Sequence, residues 1–396
     1  MRNVGTVVRG IRTGIIREND PLAKIVAESI LRASESDNFE IKDRDIIGIT
    51  EAVVAISQGN YATIDQVAKD VKTKYPDGEI GIVFPTPVSR NRFALILKGV
   101  ARGSKKVFIQ FSYPDDHVGN SLFDLDLLDK YNINPGIDVI DEQTYDQLFG
   151  NVNHIFTGVN YVNYFRELVR AEDCEVKIFL SNDPKEMLKH TSNILVGDVH
   201  DRNKYKQLYK NNKAKIVFGT DDILKSSVDG SGYNSKYGLL GSNKATEEKL
   251  KLFPENGEKL VEEVQKIIYD ATGKRVEVLV YGDGAFKDPV GKIWELADPV
   301  VCPAFTSGLS GTPNELKLKY LSENKFKDLS GEELNNAIRE EIRNKDNNLK
   351  GQMASQGTTP RRYTDLIGSL CDLTSGSGDK GTPVVLVQNY FTNYSE

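Results

Sequence analysis

The chain is poor in the residues that carry most redox and metal chemistry: 396 residues include three cysteines, four histidines and one tryptophan. Cys174, Cys302 and Cys371 are far apart with no C-x-x-C pair, so they make no disulfide framework, and a reducing, cytoplasmic setting is expected. No cysteine has a histidine nearby in sequence to activate it, which leaves no thiol nucleophile to assign. No run reaches the roughly 18 apolar residues a membrane span needs. The stretch Met1–Gly14 carries arginines but no apolar signal-peptide core, so neither membrane nor export is expected. Lysine plus arginine number 51 against 57 acids, a formal charge of −6, and no basic block offers a footprint for nucleic acid. A G-x-x-x-x-G-K-[ST] phosphate loop is missing, and no G-x-G-x-x-G follows the first strand of the central region, which argues against a dinucleotide-binding Rossmann unit. Internal repeats and low-complexity tracts are absent too.

What is present divides the chain in three. Residues 1–76 alternate short apolar segments with one amphipathic helix. Val4–Val8, Ile46–Thr50 and Val53–Ser57 read as strands, and Asp20-Pro21 opens a helix with Leu22, Ile25, Val26, Ile30 and Leu31 on one face. Residues 77–220 repeat buried strand runs at 80–84, 107–111, 176–180, 194–199 and 216–218. Helical stretches at 91–101, 161–171, 184–190 and 202–211 separate several of them, and this alternation predicts a parallel sheet with helices on its faces. Residues 221–396 are glycine-rich, with loops at 229–243, 281–291, 307–313 and 375–382. They also hold a helix over 256–272, a capping-box helix from Ser330-x-x-Glu333 that shows little apolar face, and a last strand over 384–388. The fold class expected is α/β.

The densest chemistry follows the apolar run Val276–Val280. It ends in Gly282-Asp283-Gly284, where glycines turn the backbone sharply and present a carboxylate at a strand's carboxyl end. Asp288, Glu295 and Asp298 come soon after, around Trp294, and such converging oxygens suit a hard cation. The plainer alternative is a tight turn with Asp283 as a cap. The loop Gly376-Ser377-Gly378-Asp379-Lys380-Gly381 offers unobstructed backbone N–H groups and a point charge for phosphate. Thr358-Thr359-Pro360-Arg361-Arg362 reads as an anion or carboxylate grip, or as a capped helix start. Ser89-Arg90-Asn91-Arg92 and Asp198-Val199-His200-Asp201 are weaker candidates within the central region, while His117, His154 and His190 read as structural or exposed.

On these residues the chain resembles the coenzyme F420-0:L-glutamate ligases (F420 γ-glutamyl ligases), in a longer bacterial branch with an insertion like 77–220. Ile15 through Leu22 matches the nucleotide-contacting start of their first helix, and Asp45–Thr50 the strand after it. Gly238–Asn243 matches their G-I-D-x-S-N motif, Thr272–Asp283 the strand that ends in a metal-binding Asp, and Gly376–Pro383 a nucleotide-contacting glycine loop. The departures are specific. Their first metal Asp falls on Leu240, the Thr after the second on Gly284, and a nucleotide-contacting Lys on Ile56; Ser377 and Lys380 stand where the last loop is acidic.

The resemblance implies a core built from both chain ends and an enzyme that forms an amide to L-glutamate on a small acidic acceptor, F420-like or folate-like. It implies GTP or ATP, Mg²⁺ or Mn²⁺, and a homodimer. Carried onto this chain, the metal ligands are Asp283 with Asp288, Glu295 or Asp298, and Asp229 is a possible replacement ligand. Nucleotide contacts are Ile15, Ile16, Ser242, Asn243, Gly376, Gly378, Asp379, Lys380 and Gly381. Asp283, Lys380 and Arg361 are the catalytic candidates, with Arg361 or Arg362 holding a substrate carboxylate. Two other expectations compete. One is a non-catalytic small-molecule or nucleotide-binding regulator that lost its metal; the other is an insertion that works by itself through Arg90, Arg92 and His200.

Overall fold

A computed structural model describes residues 3–84, 93–115, 121–154, 158–198, 201–282, 285–287, 294–296, 301–356, 362–375 and 378–396. It resolves into two compact units. The first comprises Met1–Val54, Asn256–Gly282 and Val300–Glu396; the second comprises Ala55–Glu255 and Asp283–Pro299.

The chain begins in the first unit with β1 (Val7–Ile11), α1 (Leu22–Ser36) and β2 (Ile46–Thr50), and α2 (Glu51–Ser57) spans the divide. In the second unit follow β3 (Tyr61–Thr63), α3 (Ile64–Lys74), β4 (Glu79–Phe84), α4 (Phe93–Arg102), β5 (Lys106–Phe111), α5 (Asp126–Lys130), α6 (Glu142–Leu148) and α7 (Tyr161–Arg170). β6 (Glu175–Leu180), β7 (Asn193–Val196), α8 (Arg202–Asn211), β8 (Ile216–Gly219), β9 (Asn243–Thr246) and β10 (Lys249–Lys251) complete its main segment. The return brings α9 (Gly257–Thr272) and β11 (Glu277–Gly282). The hairpin pair β12 (Ala285–Lys287) and β13 (Trp294–Leu296), grouped with the second unit, comes next. The first unit ends with β14 (Val301–Phe305), α10 (Leu318–Tyr320), α11 (Gly331–Arg343), α12 (Tyr363–Thr374) and β15 (Val384–Gln388).

The first unit is built on a mixed sheet of order β1-β15-β2-β11-β14, in which β2 and β11 run parallel and the other pairs antiparallel. The first and last strands of the chain pair directly, so both chain ends build one core, as expected. β2, β11 and β15 are apolar and buried nearly throughout, as strands covered on both faces must be. Ile46, Leu279, Tyr281, Val385 and Val387 pack with Ile367 and Cys371 of α12. Alternate residues face the other way, where Val280 lies against the start of α9, itself packed on α1. Gly48 is fixed by packing: a Cβ there would come within 2.5 Å of Cys371 Sγ.

The second unit contains the expected parallel sheet. Its order is β6-β5-β4-β7-β8, and every pair is parallel. One face packs into a large core with α3, α4 and α7, through Val67, Leu97, Val100, Ile109 and Phe165. The other packs Val83, Phe108 and Phe179 against Met187 and Tyr209. The dividing points of the units, 54/55 and 255/256, lie outside the 76/77 and 220/221 limits read from composition. The reason is local pairing: β3 is held by β10, and Leu224 N donates to the buried carboxylate of Asp70 on α3, at 2.7 Å.

Several local expectations shift. Val53–Ser57 is helical, not a strand; its β-branched run follows Glu51, whose carboxylate sits in the first turn where the helix dipole favours it. The segment Pro184–Lys189 is a 3₁₀ helix, capped by Asp183. Ser330 makes no side-chain cap on α11, and that helix does bury Ile338 and Ile342. β3 and α3, with a capping box between Thr63 and Gln66, had no reading in sequence.

Candidate functional site

In the first unit the pairing register brings several chain segments to one edge of the sheet. Tyr281 lies beside Thr50 in parallel register, Ile11 beside Val384, and Val384 beside Ile49. Thr50 N donates to Pro383 O at 3.0 Å. The carboxyl ends of β2 and β11, the exit of β1 and the entry to β15 therefore share that edge. This is where open α/β sheets present ligand sites.

Three groups furnish it. The first is the loop entering β15. Gly381 adopts φ +63°, and its N–H donates to Gly378 O at 3.1 Å, which closes a tight turn. Positions 378 and 381 face open space, so nothing blocks approach to their backbone. Asp379 and Lys380 are exposed, and Lys380 O accepts from Arg12 Nε at 3.4 Å. Thr382 is buried, and its hydroxyl has no hydrogen-bond partner. The second group is the segment after β1. Asp20 accepts from Arg17 N at 2.7 Å and orders the turn into α1, leaving Ile15 fully out in solvent and Ile16 tucked in. The third is Glu51, a buried carboxylate against the end of β11: a Cβ on Gly282 would fall 2.1 Å from its Cγ. Glu51 and Thr382 were missed in sequence. Their one signal was position, a polar residue directly at the end or start of a buried apolar strand.

Asp283, Asp288, Asp298, Arg361 and Gly376 lie outside the described residues, as do Arg90, Arg92, His117 and His200. Glu295 is placed only as the β13 partner of Phe286. Arg362 is exposed at the N-terminus of α12, its N–H donating to Asp365 at 3.4 Å. Ser242 and Asn243 belong to the second unit. Ser242 is fully buried with an unpartnered hydroxyl, and Asn243 opens β9 opposite Lys251. Leu240 is buried, and Gly241 beside it adopts φ +76° against the Phe253 ring, so position 240 faces core and offers no ligand atom. Asp229 is engaged by Lys69, whose Nζ donates to Oδ1 at 2.6 Å. Among the described residues no group of three or more His, Cys, Asp or Glu side chains could hold a metal ion.

The thiols are not nucleophiles. Burial pushes Cys174 up to about 11 and Cys302 up to about 12, and Cys371 higher, so all three stay protonated at neutral pH. His190 is stacked beside Phe108 and Phe179, and desolvation lowers its pKa.

A family model for F420-0:gamma-glutamyl ligase matches residues 10–389. The chain belongs to that family. No curated protein matches it. As an F420-0:gamma-glutamyl ligase family member it is a ligase of the class that adds glutamate to an acceptor substrate, and the match runs through both units rather than the chain ends alone. Among the described residues no helix is long and apolar enough to cross a membrane.

Proposed function

We propose that the chain uses GTP or ATP, with Mg²⁺ or Mn²⁺, to join L-glutamate through a γ-glutamyl-type amide to a small acidic acceptor of F420-like or folate-like chemistry. The observation that carries this is the family match over 10–389. The edge of the first unit's sheet supports it, because an open glycine turn, Lys380 and the buried, unpartnered Thr382 hydroxyl make a surface suited to phosphoryl oxygens.

In this reading an acceptor carboxylate oxygen attacks the terminal phosphorus, releasing the nucleoside diphosphate and leaving an acyl phosphate. The glutamate amine then attacks the acyl carbon, loses a proton, and phosphate departs. The backbone N–H groups of 376–381 and Lys380 hold phosphoryl oxygens, Ile15 and Ile16 contact the nucleotide, and Arg361 or Arg362 grips a carboxylate. A divalent cation would neutralise phosphate charge. Its proposed ligands are Asp283 with Asp288, Glu295 or Asp298. A cytoplasmic homodimer completes the proposal.

The test is mass spectrometry of acceptor acids incubated with the full chain, glutamate, either nucleotide and either cation. A mass gain of one glutamyl residue supports the ligase; neither product nor phosphate release with any combination overturns it. Lys380→Ala should weaken nucleotide binding about tenfold, roughly 1.4 kcal/mol, by calorimetry. The buried Leu240 favours a second reading, a non-catalytic binder, which would show nucleotide binding without turnover.

A further inference from the structure

The second unit carries a cavity that the ligase reading does not use. Its sheet order reverses between β4 and β7: the chain moves outward through β4, β5 and β6, then returns to build β7 and β8 on the other side. Ligands of open α/β sheets settle at the carboxyl ends of strands beside such a reversal. Here that place holds an open cavity of about 410 Å³, counting the solvent at its mouth. It is lined by Val83, Gln110, Ser112, Ser181, Asn182, Pro184 and Tyr205.

Gln110 is the informative residue. It interrupts the apolar run of β5, flanked in register by Val83 and Phe179, and is only 2% exposed. Its Nε2 donates to Ser181 O at 3.0 Å and Asp183 O at 2.8 Å, which sets the orientation of the amide. Its Oε1 is then left buried without a hydrogen-bond partner. A buried acceptor left without a donor is destabilising, so a donor reaching it from the cavity would recover that loss. Asn182 cannot move to supply one: its Nδ2 donates to Tyr113 O and Pro135 O, and its Oδ1 accepts from Tyr113 N. Hence the polar wall is held in place by its own hydrogen bonds, and it carries one buried acceptor without a partner.

The surroundings restrict what enters. Asp198, which is buried, and Asp201 lie close enough to act on the Tyr205 phenol, and Asp183 meets Gln110 through its backbone carbonyl. Of the neighbouring cations, Lys204 is paired with Asp201, and Lys185 donates its backbone N–H, not its charge, to Asp183. Burial, with Asp198 and Asp201 alongside, raises the pKa of the Tyr205 phenol and keeps it protonated. Val83, Pro184 and the Tyr205 ring offer apolar support for a flat or puckered ring, and the unpartnered Gln110 oxygen asks for a donor rather than an anion. We infer that this cavity is a binding site for a neutral hydroxylated ring compound, of sugar or nucleoside type, whose hydroxyl donates to Gln110 Oε1.

The test uses the full chain without metal or nucleoside triphosphate. Saturation-transfer NMR and calorimetry are run with glucose, adenosine and inorganic phosphate as probes. Saturable binding of glucose or adenosine, and none of phosphate, is expected; which of the two binds tells sugar from nucleoside. Gln110→Leu, removing the acceptor, and Ser112→Trp, filling the mouth, should each weaken binding at least tenfold. If Gln110→Leu fails to fold, Ser112→Trp decides alone. The inference is overturned if neither neutral probe binds, if the folded variants bind as the native chain does, or if adenosine binding is lost in Lys380→Ala instead.

Discussion

The two five-stranded sheets of this protein solve the same packing problem and end in different chemistry. Both are covered by helices on two faces, and both have a mid-strand glycine pressed against sulfur. A Cβ on Gly48 would meet Cys371 Sγ at 2.5 Å, and one on Gly81 would meet Met187 Sδ at 2.5 Å. At their carboxyl ends they diverge. The mixed sheet ends in a glycine turn, an exposed lysine and a buried carboxylate, all beside open backbone. The parallel sheet ends in Gln110, Ser181 and Asn182, whose side chains are bonded to backbone groups around a cavity. Equivalent positions on α/β sheets can thus be furnished differently: an open glycine turn on one and a wall of backbone-bonded amides on the other.

The sharpest way to break this comparison is Asp283→Asn. It keeps size and removes charge, so ligase turnover should fall about 100-fold or more if Asp283 holds the cation of the proposed reaction. Circular dichroism and thermal melting should be unchanged. Retained activity would move the chemistry elsewhere. Next in size are the two glycines. Gly48→Val should destabilise by about 3 kcal/mol, because Cys371 lies on a rigid buried helix, while Gly81→Val should cost about 2 kcal/mol, since the unbranched Met187 on a 3₁₀ turn can shift although Thr191 Cγ2, 2.8 Å from a Cβ there, yields less. Urea denaturation checks both, and equal losses would show that the two sheets are equally unyielding. A smaller effect, about 1–2 kcal/mol, is expected for Arg102→Ala in the second unit. That guanidinium bonds Glu172 and Glu248 at 2.7 Å and Asp65 at 2.8 Å, and its loss leaves the well-covered Glu172 with only the longer Lys98 contact.

The smallest effect concerns pH. Asp45, before β2, is buried, and desolvation raises its pKa above 3.8 despite hydrogen bonds from Gln388 Nε2 and Lys42 N. The folded state therefore binds the proton more tightly than the unfolded chain. Stability from this group is greatest below pH 3.8 and declines as pH rises through the raised value. Asp45→Asn should flatten that part of the stability–pH curve, read by thermal melts across mildly acidic buffers. An unaltered slope would mean the carboxylate is better solvated than its burial implies.

Much of this architecture was legible in sequence. Strands buried on both faces read as continuous apolar runs, so β2, β4, β5, β6, β11 and β15 stood out, and the alternation with α4, α7 and α8 pointed to a parallel sheet. The short β3 and the polar-looking α3 did not, because three-residue strands carry no period and the capping box of Thr63 and Gln66 is a local signal without an apolar run behind it. Val53–Ser57 misled for the reverse reason: β-branched residues favour strands, yet packing after the turn at Glu51 made them helical. The glycine loop and Lys380 drew attention in the sequence; Glu51, Thr382 and Gln110 did not, since each is one polar residue in or beside an apolar stretch.

By itself the sequence determined the α/β class and the ligase family, because burial periodicity and short motifs are local properties of the chain. Only the tertiary structure decided which strands are neighbours. Register alone put Thr50, Tyr281 and Pro383 at one edge though they are hundreds of residues apart, and sheet order alone made β4 and β7 adjacent across a reversal. Hydrogen-bond pairing between distant segments has no signature in either segment. The environment of a single polar side chain such as Gln110, the difference between a structural amide and a ligand-seeking one, is set by those neighbours.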